Sequence, residues 1–355
     1  MQKIAVIGTT SWGITLAALQ ANKGIEVRLW ARTQKEANKL KKKGPDPTRF
    51  PGITIPENIL ITSRMDEAMA DVDAVLMVIP SPTMRQNISQ VAGHLTKSTI
   101  IVSASKGIEI GSNKRMSQVI TEEINPRFTP NICVLTGPNL AREIIHDLPA
   151  AAVVAAEDIN TAKKAQKLLS CPNFCVFTNS DVIGVELGGS LKNIIALGAG
   201  IADGLGYGDN AKAAFMTRGL TEITALGMAL GANPLTFSGL AGLGDVIATC
   251  ASPLSRNHYV GVELAKGRPL AEIVETMNEV AEGINTTLVA QNIAEQLGLE
   301  MPITEKLHRV LYEDYDLHKA AAELMGGNAK HELAGRRWRL FSLFRRRKKT
   351  SIPSV

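Results

Sequence analysis

The chain has 355 residues, 45% hydrophobic and 21% charged, which is ordinary globular composition and enough length for two domains. Its formal net charge of +5 is uneven: eight cations stand between Arg336 and Lys349 with no acid after them, and without those eight the remainder carries −3. The body is thus mildly acidic, which argues against a nucleic-acid partner, and the basic character belongs to a tail.

Cys133, Cys171, Cys175 and Cys250 form no disulfide or zinc-type spacing, and the six histidines form no metal pair, so reduced thiols and no metal are expected. The N-terminus runs straight into a strand without a signal peptide, and no apolar run looks long enough to cross a bilayer; a cytoplasmic protein is expected.

Lys3–Ile7 is an apolar strand ending at Gly8; Leu16, Ala17 and Leu19 mark a helix, and Glu26–Trp30 is the next strand. This strand-turn-helix-strand unit has the length of a dinucleotide-binding motif. Gly8 and Gly13 fit the first and last glycines of its turn, while Thr10 stands where the second belongs. The second strand ends in Trp30-Ala31-Arg32, without the usual ribose-binding acid. A cation there suits a 2′-phosphate, so NADPH is expected to serve at least as well as NADH.

Lys41–Pro47 is expected to be a charged surface loop. Strands follow at Asn58–Thr62, Ala74–Ile79, Thr99–Ser103, Asn131–Leu135, Ala151–Ala156 and Phe174–Phe177, with a helix at Asp66–Asp71. The near-continuous apolar runs are those of parallel strands buried on both faces. Lys106 falls at a strand's carboxyl end, where doubly wound sheets bind ligands.

Strand signals stop near Asp181. The expected organisation is a Rossmann-type doubly wound α/β domain over 1–181, an all-α domain over 182–335 and a basic tail over 336–355. Leu187, Leu191, Ile194, Ile195 and Ile201 recur at helical spacing and mark a buried helix. Lys192 interrupts it on a stripe of Gly188, Gly189, Ala196 and Ala199, with Glu186 nearby. Paired glycines cost a helix on the order of 1 kcal/mol each, and the expected return is room for a ligand against its backbone. Further on, Gly239–Asp245 is a glycine turn that presents one acid, and Ser255-Arg256-Asn257 offers donors suited to a phosphate.

Gly8-x4-Gly13 with Ser11-Trp12, Ser105–Glu109, Gly137-Pro138, Glu186–Asn193, Gly239–Asp245 and Ser252–Asn257 together resemble the bacterial NAD(P)-dependent glycerol-3-phosphate dehydrogenase family, from Lys3 to about Glu332. The resemblance implies an enzyme that interconverts dihydroxyacetone phosphate and sn-glycerol 3-phosphate with NADP or NAD, supplies phospholipid synthesis and forms a homodimer. It implies that Ser11, Trp12, Arg32, Lys106, Ala141, Arg256, Val280 and Glu282 bind the cofactor. It implies Lys106, Gly137, Lys192, Asp245, Ser255, Arg256 and Asn257 for the substrate, with Lys192 as proton acceptor. Thr10, Asn139 and Leu140 depart from the family pattern, and the basic tail lies outside it.

Two other classes compete with this reading. A dehydrogenase of the 6-phosphogluconate type is opposed by the Ser-Arg-Asn block and the Gly-Leu-Gly-Asp turn. A non-catalytic dinucleotide sensor is opposed by Lys106, Lys192 and Asp245. In the tail, Trp338, Leu340, Phe341, Leu343 and Phe344 interleave with arginines, a pattern expected to touch an anionic membrane.

Overall fold

Alternate residues of the first strand face opposite ways. In β1 (Lys3–Ile7), Ile4 and Val6 join a hydrophobic cluster with Leu29, Leu76 and Phe174, while Ala5 and Ile7 join another with Val75, Met84 and Ile101. Both faces of the strand are buried, so its sequence is continuously apolar instead of alternating. These features come from a computed structural model, which describes residues 2–277 and 279–326. The basic stretch Arg336–Lys349, and with it the expected membrane contact, lies outside the described residues.

Seven further strands complete one sheet: β2 (Glu26–Trp30), β3 (Ile59–Thr62), β4 (Ala74–Met77), β5 (Ile100–Ser103), β6 (Ile132–Thr136), β7 (Ala150–Ala155) and β8 (Phe174–Asn179). Their order is β3-β2-β1-β4-β5-β6-β7-β8. Neighbours are parallel except β6 and β7, which are antiparallel. Chain order reverses between β1 and β4, and the carboxyl ends of β1, β4, β5 and β6 share one edge. That edge is the ligand-binding side of a doubly wound sheet.

One local expectation is corrected. Lys41–Lys43 are not loop but the last turn of the Gln34–Lys43 helix, which stops at Gly44 with φ +68°. Three cations at a helix C-terminus are favoured by its dipole, and glycine accepts the left-handed φ there.

After β8 the described chain is helical, centred on the Val182–Gly204 helix. This helix is long and apolar enough to cross a membrane, with mean hydropathy 1.3, contrary to the reading from sequence. However, 89% of that apolar window is buried in protein, as befits a core helix. Its glycines also serve a different purpose from the one expected. A Cβ on Gly188 would stand 2.6 Å from the Ala241 carbonyl oxygen, and one on Gly189 would collide with the Thr136 side chain. Gly200 lies against the His258 backbone and Gly261 against that of Leu197, so the Arg256–Ala265 helix packs at close range. The stripe beside Lys192 is filled by protein, and close packing offsets the glycine cost.

Candidate active site

Asp245 is placed by the glycine turn before it. The Gly244 N–H donates to the Gly239 carbonyl five residues back at 3.1 Å, a wide π-type turn. Any side chain on Gly242 would strike the Phe237 backbone, so only glycine allows the chain to pass. The turn delivers Asp245 to the start of the Asp245–Ala251 helix, 1% exposed.

Both carboxylate oxygens are occupied. Oδ1 accepts from Lys192 Nζ at 2.7 Å and from Thr249 Oγ1 at 3.2 Å. Oδ2 accepts from Lys106 Nζ at 2.6 Å and, at 3.5 Å, from Thr136 Oγ1. Lys192 also donates to Thr249 Oγ1, and Lys106 to the Gly137 carbonyl at 2.9 Å. Lys106 and Gly137 follow β5 and β6, whereas Lys192 rises from mid-helix. With both lysines protonated, two cations share one buried anion and the cluster carries one surplus positive charge. A single buried ammonium costs several kcal/mol unless paired, so the shared carboxylate is what allows both lysines to stay inside. Burial pushes the Lys106 ammonium down to about 8, Lys192 pushes the same way, and Asp245 opposes them.

Glu186 is not a partner of Lys192. It accepts from Ser117 N and Oγ at 2.7 and 2.6 Å and from Arg115 at 2.7 Å, tying the central helix to the sheet domain.

The Ser-Arg-Asn block sits nearby in the same half. Ser255 caps the Arg256–Ala265 helix by accepting from His258 N at 3.2 Å. Asn257 is buried; its amide donates to Asn193 Oδ1 and its oxygen accepts from Gly283 N, both at 2.9 Å. Arg256 is half exposed and donates to the Val280 carbonyl at 2.8 Å. Glu282 accepts from Ser81 N and Oγ at 2.8 and 2.6 Å, at the end of β4. Burial raises the Glu282 carboxyl, against the hydrogen bonds from Ser81.

At β1, Gly8 has φ +114° and a Cβ would lie 2.5 Å from the Val78 carbonyl oxygen, so glycine is required there. Thr10 has a purpose that a glycine could not fill: it caps the Ser11–Asn22 helix, accepting from Gly13 N at 3.1 Å and donating to Val78 O at 2.9 Å. Ala141 begins a helix, and its carbonyl accepts from Thr15 at 3.3 Å. Arg32 is exposed beyond β2.

Two residues that sequence reasoning missed crowd this helix start, and a third, Thr249, stands in the Asp245 cluster. The Glu279 carboxylate accepts from Ser11 N at 2.9 Å and Ser11 Oγ at 3.0 Å, is clasped by Arg49, and stands 3.5 Å from Arg256. No local pattern marks Glu279 or Arg49. Thr249 does have a signal, standing four residues after Asp245 on one helix face.

A carboxylate held by the Ser11 amide shows that this helix start takes an anion, which fits a dinucleotide phosphate. Trp12 Nε1 and both carboxamide atoms of Asn139 are buried without a protein partner, as expected of groups that a bound molecule completes. Glu279 occupies that seat here, so Glu279→Gln is expected to tighten NADPH binding several-fold, because an amide holds the Ser11 amide and Arg49 less strongly than a carboxylate. A fluorescence titration checks it; weaker binding in the variant would make Glu279 a cofactor contact.

Residues 3–162 match the N-terminal profile described as NAD-dependent glycerol-3-phosphate dehydrogenase, and 181–322 match its C-terminal profile. A glycerol-3-phosphate dehydrogenase [NAD(P)+] from Dehalococcoides mccartyi is 58% identical over 100% of this chain and 99% of its own length. One from Enterococcus faecalis is 47% identical over 93% of this chain and 97% of its own. The crystal structure of glycerol-3-phosphate dehydrogenase (gpsA) from Coxiella burnetii superposes with TM-score 0.86 at 34% identity, over 91% of this chain and 98% of that one.

Proposed function

The chain belongs to the NAD-dependent glycerol-3-phosphate dehydrogenase family and interconverts dihydroxyacetone phosphate and glycerol 3-phosphate with NAD or NADP; from that premise we propose that Lys192, Asp245 and Lys106 handle the charge and the proton. The observation that carries this is the Asp245 carboxylate shared by Lys106, just past β5, and Lys192, from the middle of the central helix. The nicotinamide, when bound, supplies or accepts the hydride.

In reduction the carbonyl oxygen gains an electron pair. The Lys192 ammonium stabilises that developing negative charge and gives the oxygen its proton; in oxidation Lys192 takes the proton back. Asp245 orients both amines and keeps Lys192 inside. Lys106 adds the second positive charge, beside the Gly137 carbonyl. For the phosphate, Arg256, whose Nη1 donates to the Val280 carbonyl, keeps Nε and Nη2 for two parallel bonds. Ser255 accepts in its cap bond and keeps its hydroxyl proton to donate, and Asn257 keeps one amide proton. Ser11, Trp12, Ala141, Val280 and Glu282 line the cofactor cleft, with Arg32 at its ribose end.

The finer reading is a cytoplasmic homodimer whose product supplies glycerophospholipid synthesis. Four free cysteines support a reducing compartment. Leu235, 76% exposed, and Phe177, 52% exposed, are apolar surface that a second copy would cover.

Oxidation of NADPH and of NADH with dihydroxyacetone phosphate tests the function; consumption of neither would overturn it. The same assay carries a pH expectation. Lys106 is charged below about pH 8 and neutral above, so KM for the phosphorylated substrate is expected to rise above that pH with turnover less affected. Folding stability has the matching sign. A lysine depressed in the folded state is a burden while protonated, so stability grows as pH climbs from about 8 toward 10.5.

A further inference from the structure

Doubly wound sheets usually place a carboxylate at the end of the second strand, where it accepts the hydroxyls of the adenosine ribose. Here that position holds Arg32. The chain then enters the Gln34–Lys43 helix, capped by Thr33, whose side chain accepts from Glu36 N at 3.2 Å. The cap fixes Glu36 in the first helical turn. From there its carboxylate is directed back to the first strand and accepts a hydrogen bond from Thr9 Oγ1, in the residue immediately after Gly8. Glu36 is half-buried, whereas Arg32 is exposed. An acid therefore does reach the glycine turn beside the ribose end of the cleft, from one helical turn later than the usual position.

We propose that Glu36 is the ribose-reading acid of this cleft and that it opposes Arg32 in setting the ratio of NADH to NADPH. The proposal rests on the dehydrogenase reading above. A ribose diol can give a carboxylate two charge-assisted hydrogen bonds, whereas a 2′-phosphate brings negative charge against it. Thr9 holds the carboxylate in place, and Arg32 draws the phosphate from the solvent side. A chain with one group of each kind uses both cofactors, and the balance between them is set by two side chains four residues apart.

The test is direct binding of NADH and NADPH to the full chain by fluorescence titration, with Glu36→Gln, Glu36→Asp and Arg32→Asp alongside. Glu36→Gln keeps the shape and an acceptor for Thr9 while removing the charge. It is expected to weaken NADH about tenfold and to leave NADPH equal or tighter. Glu36→Asp withdraws the charge from the turn and is expected to shift the ratio the same way by less. Arg32→Asp is expected to shift it oppositely, weakening NADPH far more than NADH. Equal loss of both cofactors in Glu36→Gln, or no change in either, overturns the proposal and leaves Glu36 as a fastening for the turn. Failure of the unaltered chain to bind either cofactor would overturn the dehydrogenase reading instead.

Discussion

Lys192→Met is expected to lower turnover by roughly 10³-fold or more with NADPH binding nearly intact. General acid–base assistance is typically worth about 10²–10⁴-fold, and loss of charge stabilisation adds to it. Methionine keeps the length and the apolar stem but removes both the proton and the cation. The surroundings argue that the protein survives the change. Asp245 keeps its bonds from Lys106 and Thr249, so no carboxylate is left buried and bare. The measurement is kcat at saturating dihydroxyacetone phosphate beside a cofactor titration. If Lys192 were only a phosphate anchor, KM would rise and kcat would stay near normal, which would sink the catalytic role.

Asp245→Asn has the second-largest expected effect, and it acts on stability and catalysis together. Removing one partner from a buried charge cluster typically costs about 3–5 kcal/mol. Here it leaves two ammoniums facing each other, with one amide oxygen to share. The expected kinetic result is milder than for Lys192→Met, about 10²-fold in turnover, together with a raised KM. Asp245 holds the Lys106 ammonium up against burial and against Lys192, so in the variant Lys106 should lose its proton below about pH 8. The rise in KM with pH should therefore begin earlier. A purely structural Asp245 would lower the denaturation midpoint and leave that pH profile where it was.

The fold was legible because its signals are local. Buried parallel strands are short apolar runs, amphipathic and core helices repeat every three to four residues, and the loss of strand signals after β8 follows directly from composition. The Lys41–Lys43 run reads as loop in sequence because charge alone does not separate a loop from the last turn of a helix. What separates them is the glycine after the run.

The site was legible in a different way, as blocks that match a family, and those blocks name residues without saying what each touches. Asn257 and Ser255 are spent partly on Gly283, Asn193 and the His258 cap, a fact that no spacing carries. The glycines beside Lys192 suggest open space in sequence, and in the structure Ala241 and Thr136 fill it.

By itself the sequence determined the α/β half, the helical half and the membership of the chain in a dehydrogenase family. Those depend on patterns between near neighbours and on contiguous motifs. Only the tertiary structure decided that Asp245 bridges Lys192 and Lys106, which stand 53 and 139 residues away in the chain, and that Glu279 reaches Ser11 across 268. A side chain's partner at such separations is fixed by how the sheet edge closes against the helices. Charge and burial then select among the groups brought within reach, and neither quantity exists until the chain has folded.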